Sequence, residues 1–394
     1  MFDFTYYTPT KVVFGRGAEN KTGALLKARG CKKVLIHYGG GSVVRSGLLA
    51  RVKASLDAAE IPYVELGGVV PNPRLSLVYR GIELAKAEQV DFILAVGGGS
   101  VIDSAKAIGY GVTNEGDVWD FYDHTRQAAA CLPVGAVLTI AAAGSEMSNS
   151  SVITNEENWF KRGYNNDVCR PVLAIMNPEL TTTLPAYQTA CGCTDIMMHT
   201  MERYFVSGGC MELTDRIAEG LLRTVMKNAL ILRDDPTNYD ARAEVMWASS
   251  LSHNGLTGCG CKDNDFATHL MEHEVGGMFD VAHGAGLAAL WGSWARYVYR
   301  ECLPRFHAFA VNVMGVADED DPEAVALRGI EAMEAFYRAI GMPTSFAELG
   351  VHPTEEQLVT MARQCSVASG GKKGSAKVLY ESDMLEIYRM AAAR

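Results

Sequence analysis

Short apolar runs separated by longer amphipathic stretches fill the first half of the chain. Val12-Val13-Phe14, Val34-Leu35-Ile36, Tyr63-Val64-Glu65-Leu66, Phe92-Ile93-Leu94-Ala95-Val96, Ala136-Val137-Leu138 and Val172-Leu173-Ala174-Ile175 have the length and composition of strands. Helical periodicity lies between several of them, for example over residues 45 to 59 and 75 to 89. Strands that are apolar throughout and joined by such crossovers predict a parallel sheet covered on both faces, in a doubly wound, nucleotide-type domain.

From about Pro185 the strand pattern stops. Helical patterns follow at 186 to 206, 211 to 232, 239 to 256, 264 to 278, 284 to 300, 303 to 315, 322 to 340, 354 to 368 and about 382 to 392. Breaks at Ser207-Gly208-Gly209, Asp234-Asp235-Pro236 and Gly341-Met342-Pro343 fit helix-to-helix connections. The expected organisation is therefore α/β followed by all-α, with a Rossmann-like parallel-sheet domain over residues 1–185 and an all-helical domain over 186–394. The acidic run Asp318-Glu319-Asp320-Asp321 reads as a solvated loop before a helix opened by Pro322. Gly370-Gly371-Lys372-Lys373-Gly374 reads as a mobile loop.

Two strands run into the same five residues, Gly-Gly-Gly-Ser-Val, at 39–43 and at 97–101. Triple glycine lets a backbone pass close to a bulky anion, and the serine adds a hydroxyl to the free N–H groups opening the next helix. Each copy can also be read simply as a tight strand-to-helix turn, since neither is the G-x-G-x-x-G fingerprint. Two copies in one sheet favour a ligand with phosphates at both ends. An acidic residue after an early strand would bind the ribose diol of NAD; Gly39, Gly40, Gly41 and Ser42 stand there instead, with Arg45 nearby. That pattern favours NADP(H). Asp103 follows the second turn by three residues, where it can meet the cofactor or stabilise the helix as a first-turn carboxylate.

The chain has nine histidines, and His269, His273 and His283 fall within fifteen residues. His269 and His273 share a helix face, and the Gly276-Gly277 pair is expected to turn the backbone and bring His283 back. Upstream, Asp195 and His199 are also four apart, in a Met-rich apolar segment. Any one of these histidines alone reads as a hydrogen-bonded core residue. Five polar groups in apolar helices need partners together, and one divalent iron, zinc, manganese or nickel ion would satisfy several at once.

Composition narrows the partners. A net charge of -10 and the lack of a basic stripe argue against nucleic acid and against an anionic membrane surface. The N-terminus has no signal-peptide pattern and no segment is apolar enough to span a membrane, so a cytoplasmic location is expected. The ten cysteines read as reduced thiols. Cys191 with Cys193 and Cys259 with Cys261 leave one residue between thiols, where structural zinc sites leave two to four.

Together, the strand into Gly97-Gly98-Gly99-Ser100 with Asp103, the Gly144-Ser145-Glu146 turn, Pro178 to Pro185 and the Asp195, His199, His269, His273, His283 set resemble the iron-containing, group III alcohol dehydrogenases. The resemblance runs through essentially the whole chain. Tyr-Gly-Gly-Gly-Ser-Val at Tyr38 to Val43 looks like the NADPH-dependent butanol dehydrogenase and aldehyde reductase branch. The resemblance implies an N-terminal dinucleotide-binding domain, a C-terminal helical metal-binding domain, a cleft between them and a homodimer. It implies metal ligation by Asp195, His199, His269 and His283, with His273 a non-ligand facing substrate and nicotinamide. It implies cofactor contacts at Gly40 and Ser42 for the 2'-phosphate, and at Asn72, Gly97, Gly98, Gly99, Ser100, Asp103, Thr139, Lys161 and Leu180. Two departures stand out: Ile140 and Ala143 replace family hydroxyls, and Gly-Ala-Gly-Leu-Ala-Ala follows His283 without the asparagine many members carry there.

The reaction implied is reversible reduction of an aldehyde by NADPH, with His273 relaying the proton and Trp159, Phe160 and Phe266 among candidate pocket walls. One alternative is an eliminating, cyclising enzyme of the dehydroquinate synthase type. It would show basic residues aimed at a substrate phosphate, whereas Thr194 to Glu202 and Thr268 to Glu274 offer acids and methionines. A non-catalytic nucleotide-binding protein is the other.

Overall fold

The computed structural model describes residues 1–209 and 211–394. It divides into two compact units, Thr8–Thr183 and Leu184–Arg394, the second also including Met1–Tyr7.

In the first unit the strands are β1 (Lys11–Phe14), β2 (Val34–Gly39), β3 (Tyr63–Val69), β4 (Phe92–Gly97), β5 (Val134–Leu138), β6 (Ser150–Asn155), β7 (Phe160–Asn165) and β8 (Leu173–Met176). Its α-helices are α1 (Thr22–Ala28), α2 (Ser42–Arg45), α3 (Leu48–Ala58), α4 (Leu75–Ala87), α5 (Gly99–Thr113) and α6 (Trp119–Tyr122). Among the described residues six strands form one parallel sheet in the order β1-β8-β5-β4-β2-β3. The apolar strand runs explain the parallel arrangement. Val34, Ile36, Leu94, Val96, Val137 and Ile175 are buried against Val52 and Leu56 of α3 in one continuous core, and a strand buried on both faces needs a helical crossover to reach its parallel neighbour.

From β2 the chain steps to β3 on one side, then returns to place β4 on the other. The carboxyl ends of β2 and β4 thus flank a topological switch point, where open α/β sheets bind their ligands. Gly39 to Ser42 and Gly97 to Ser100 both lie there. The sequence pattern misses the antiparallel pair β6 and β7, whose Ser-Ser-Val-Ile-Thr-Asn and Phe-Lys-Arg-Gly-Tyr-Asn carry no apolar run. The helix expected from 45 starts instead at Leu48, after Gly47, a residue with φ +72°.

The second unit is helical: α7 (Ala186–Tyr204), α8 (Glu212–Asp234), α9 (Tyr239–His253), α10 (Ala267–Phe279), α11 (His283–Val298), α12 (Leu303–Asn312), α13 (Pro322–Ala339), α14 (Phe346–Leu349), α15 (Glu355–Ala368) and α16 (Glu381–Ala392). Helix α7 packs against α8, α9 and α11, and α10 packs against α11 and α15. From Thr189 to Tyr204 nearly every residue of α7 is buried, the mark of a helix enclosed on all sides. No helix among the described residues is long and apolar enough to cross a membrane.

Two expectations need correction. Helix α10 runs straight through Gly276 and Gly277; the chain turns after it, at Asp280, which has φ +50°. The pair lies inside an enclosed helix, where backbone hydrogen bonds and packing override the intrinsic preference of glycine. The stretch expected to be a loose loop, Gly370 to Gly374, leads into a segment that is tied down. The buried Asp265 carboxylate accepts hydrogen bonds from Ser375 N at 2.7 Å and Ala376 N at 2.9 Å, and Lys373 pairs with Leu379. The nine cysteines among the described residues are free thiols.

A polar side chain, His37, is buried within the sheet. It lies on β2, with Nδ1 donating to Leu66 O at 2.8 Å and Nε2 beside Ser104 Oγ at 2.8 Å. The carbonyl can only accept, so the proton is on Nδ1 and Ser104 donates to Nε2. Burial drives the His37 pKa down to about 4. The unfolded chain therefore takes up a proton near pH 6.5 that the folded chain refuses until about 4. Stability supplied by the neutral ring is present above about pH 6.5 and is lost as pH falls toward 4. We expect the stability advantage of the native chain over His37→Gln, from denaturant unfolding, to shrink by about 2 kcal/mol between about pH 7 and about pH 4.5. A constant advantage would show that His37 is not held neutral.

Candidate metal centre

Helix α7 carries Asp195 and His199 on one face, and α10 supplies His269. One ligand atom from each of the three lies within 4.8 Å of the other two. His199 Nδ1 and His269 Nε2 each stand 3.4 Å from Asp195 Oδ1, and His283 Nε2 stands 3.8 Å from it. Asp195 Oδ1, His199 Nδ1 and His269 Nε2 are buried and make no hydrogen bond. Desolvated lone pairs facing one another cost several kcal/mol unless something positive lies between them. Metal–ligand bonds of ~2.1 Å place ligand atoms about 3.4 Å apart at tetrahedral angles. The donor set therefore fits a borderline divalent ion in chemistry and in spacing.

His283 opens α11, and its approach to Asp195 depends on a missing side chain. A Cβ on Gly284 would stand 2.2 Å from the carbonyl oxygen of Cys191 on α7, so only glycine allows the two helices this close. A Cβ on Gly286 would stand 2.8 Å from Glu272 Cγ. Both glycines after His283 thus serve packing.

The pattern reading missed the carboxylates behind the imidazoles. Glu202 Oε2 accepts from His269 Nδ1, and Glu202 Oε1 accepts from the His269 backbone N–H at 3.2 Å. Glu272 Oε2 accepts from His283 Nδ1. Both acids are almost completely buried. Each holds the ring proton on Nδ1 and so turns an Nε2 lone pair toward Asp195. A signal existed in the sequence: each acid stands three residues beyond a proposed ligand in an apolar helix, where an acid with no partner would be costly.

Electrostatics agree. Burial lowers the His269 pKa, but Glu202 and Asp195 outweigh it and push it up to about 9. Burial, followed by the charges of His253 and His269, drives His199 well below 6.5. The acids draw a positive charge toward His269 while its neighbour resists protonation, and a metal ion satisfies both at once. His273, one turn along α10 from His269, is buried with its ring centroid 5.9 Å from that of His283. It shares a second grouping with Glu272 and His283. No thiol belongs to a ligand grouping among the described residues.

In the sheet unit the expected cofactor residues fall into two sets. Gly39, Gly40, Ser42, Gly97, Gly98, Gly99, Ser100 and Thr139 come together at the carboxyl ends of β2, β4 and β5, where Thr139 N donates to Gly97 O at 3.1 Å. A Cβ on Gly98 would stand 2.1 Å from Ile140 Cγ2, so Ile140 makes that glycine obligatory. Asn72, with φ +53°, lies beyond β3, Lys161 on β7 and Leu180 beyond β8 against the sheet core. The Asp103 carboxylate accepts from Ser145 Oγ at 2.6 Å and Val152 N at 3.0 Å. It thereby pins the Gly144 turn and β6, whatever else it does. Lys106 reinforces that anchor: fully buried, it donates to Ser145 O, Ser148 O and Ser150 O within 3.0 Å.

The model of the iron-containing alcohol dehydrogenases matches residues 9–178, and that of the C-terminal region of the Fe-containing alcohol dehydrogenase family matches residues 189–392. The chain is 40% identical over 390 residues to NADH-dependent butanol dehydrogenase A of Clostridium acetobutylicum, covering 99% of each chain. It is 34% identical over 358 residues to an NADPH-dependent aldehyde reductase of Escherichia coli, covering 89% of this chain and 90% of that one. The crystal structure of NADH-dependent butanol dehydrogenase A from Thermotoga maritima superposes with a TM-score of 0.96 at 39% identity, over 100% of this chain and 99% of the other.

If Glu272 orients His283 toward an ion, Glu272→Gln should weaken metal affinity by about ten- to a hundredfold. Competition with a chromophoric chelator measures this, and an unchanged affinity would remove Glu272 from the centre.

Proposed function

The chain belongs to the iron-containing alcohol dehydrogenase family, and from that premise we propose that it interconverts aldehydes and primary alcohols, butanal and butanol among them, with NADP(H). The observation that carries this reading is the convergence of buried, hydrogen-bond-free Asp195, His199 and His269 atoms. A divalent ion, iron by family membership, supplies Lewis-acid polarisation of the carbonyl oxygen, and the nicotinamide supplies the hydride. The residues do the rest. One carboxylate against three neutral imidazoles leaves much of a divalent charge uncompensated, so Asp195, His199, His269 and His283 favour negative charge developing on a substrate oxygen. Glu202 and Glu272 fix the two rings that they hold. His273, buried beside His283 and outside the ligand set, holds and delivers the proton the product alcohol needs. The same reading makes the protein a homodimer.

The choice of NADP(H) rests on the β2 turn. No carboxylate occupies Gly39 to Ser42, and the Arg45 guanidinium comes so near that a Cβ on Gly41 would stand 3.0 Å from Nη1. A 2'-phosphate would meet a cation and an exposed Ser42 there. The rival is NADH, named in the butanol dehydrogenase relatives of Clostridium and Thermotoga.

Protein with quantified bound metal should oxidise NADPH when given butanal, followed by nicotinamide absorbance, and a chelator should abolish the rate. No oxidation with simple aldehydes despite bound metal would overturn the reading. Gly39→Asp should shift preference toward NADH by repelling the 2'-phosphate; an unchanged preference ratio would remove the β2 turn from cofactor choice.

A further inference from the structure

His253 takes part in neither ligand grouping, yet its ring lies against a proposed ligand. It ends α9, and its ring centroid lies 3.9 Å from that of His199 with the planes at 56°. The His269 ring also stacks on His199, at 4.5 Å and 25°. His199 thus contacts two imidazoles, one a proposed ligand and one not.

Arg203 ties this arrangement to the backbone. It lies one turn beyond His199 on α7 and donates through Nη1 to His199 O at 2.7 Å and Ser252 O at 3.0 Å. Its Nη2 lies 3.3 Å from His253 Nδ1. A guanidinium can only donate, so His253 Nδ1 accepts and its proton sits on Nε2. The Arg203 guanidinium also lies 4.7 Å over the Phe266 ring, a cation–π contact. Phe266 approaches the centroids of His199 and His253 to 6.2 Å and that of His269 to 5.2 Å. Its φ of +49° is a conformation a bulky side chain adopts only where surrounding contacts over-determine it.

We propose that His253 is a positioning residue of the metal centre, a ring brace that holds the His199 imidazole in its ligating orientation without binding the ion. This rests on reading Asp195, His199, His269 and His283 as ligands. An imidazole ligand can turn about two side-chain bonds, and each orientation closed off beforehand is entropy not lost when the ion binds. His253 closes off rotation where its ring meets His199, while Arg203 fixes both the His253 ring and the His199 backbone. The brace should slow release of the ion and leave the ligand set unchanged.

The test compares cobalt-loaded native protein with His253→Ala, His253→Phe and His253→Gln, confirming the fold of each by circular dichroism. Metal release into a chromophoric chelator gives the rate, and the visible cobalt spectrum reports coordination. His253→Ala should release the ion about tenfold faster or more with its cobalt spectrum unchanged. His253→Phe, which keeps a ring, should restore slow release; His253→Gln, which keeps an acceptor but no ring, should not. Native release from His253→Ala, release from His253→Phe as fast as from His253→Ala, or a cobalt spectrum showing a lost nitrogen ligand would overturn the proposal. Native protein that binds no cobalt would instead overturn the ligand reading beneath it.

Discussion

Three buried polar atoms facing one another with no hydrogen bond, Asp195 Oδ1, His199 Nδ1 and His269 Nε2, set the constraint the helical unit is built around. Helix α7 gains nothing from burying a carboxylate and an imidazole unless a positive charge pays for their lost hydration. The surrounding groups are arranged for that charge. Glu202 and Glu272 stand behind His269 and His283, adding negative potential and fixing ring orientation. Glu202, together with Asp195, draws a proton to His269.

Close approach is the second requirement, and glycine meets it in both units. Gly284 lets α11 touch α7 at Cys191, which carries His283 toward Asp195. Gly98 leaves room for Ile140 at the end of β4, in the turn where α5 exposes its N-terminal N–H groups. The turn itself stands on a buried polar anchor. Lys106 holds the Ser145 to Ser150 backbone, and Asp103 holds Ser145 and Val152. Polar groups so deep in the sheet unit persist only because nearly every donor finds an acceptor.

Strained backbone occurs beside these sites. Asn72, Phe266 and Asp280 have positive φ: the first at a proposed cofactor position, the second against the histidine cluster, the third at the turn that returns the chain to His283. Each conformation costs of order 1–3 kcal/mol, which the packed helices and sheet can carry. Asp265, held by Ser375 and Ala376, secures the chain just before Phe266 and limits where that ring can move.

The sequence alone determined the parts that follow periodicity or residue chemistry. Apolar strand runs imposed a parallel sheet, because such strands must be covered on both faces. The doubled Gly-Gly-Gly-Ser-Val marked two strand ends, and Asp195, His199, His269, His273 and His283 stood out because five polar groups in apolar helices need partners together. Tertiary structure alone decided what depends on distant neighbours. Glu202 and Glu272 show in the sequence only as acids in apolar helices; folding decides that they stand behind His269 and His283. His253 is a helix-end histidine until α9 lays its ring on His199, and Gly284 is one glycine among many until α11 meets Cys191. Gly276 and Gly277 point the same way: their local freedom suggested a turn, but the packing around α10 kept them helical. Periodicity records which face of an element is buried, whereas contacts between elements far apart in the chain leave no spacing to read.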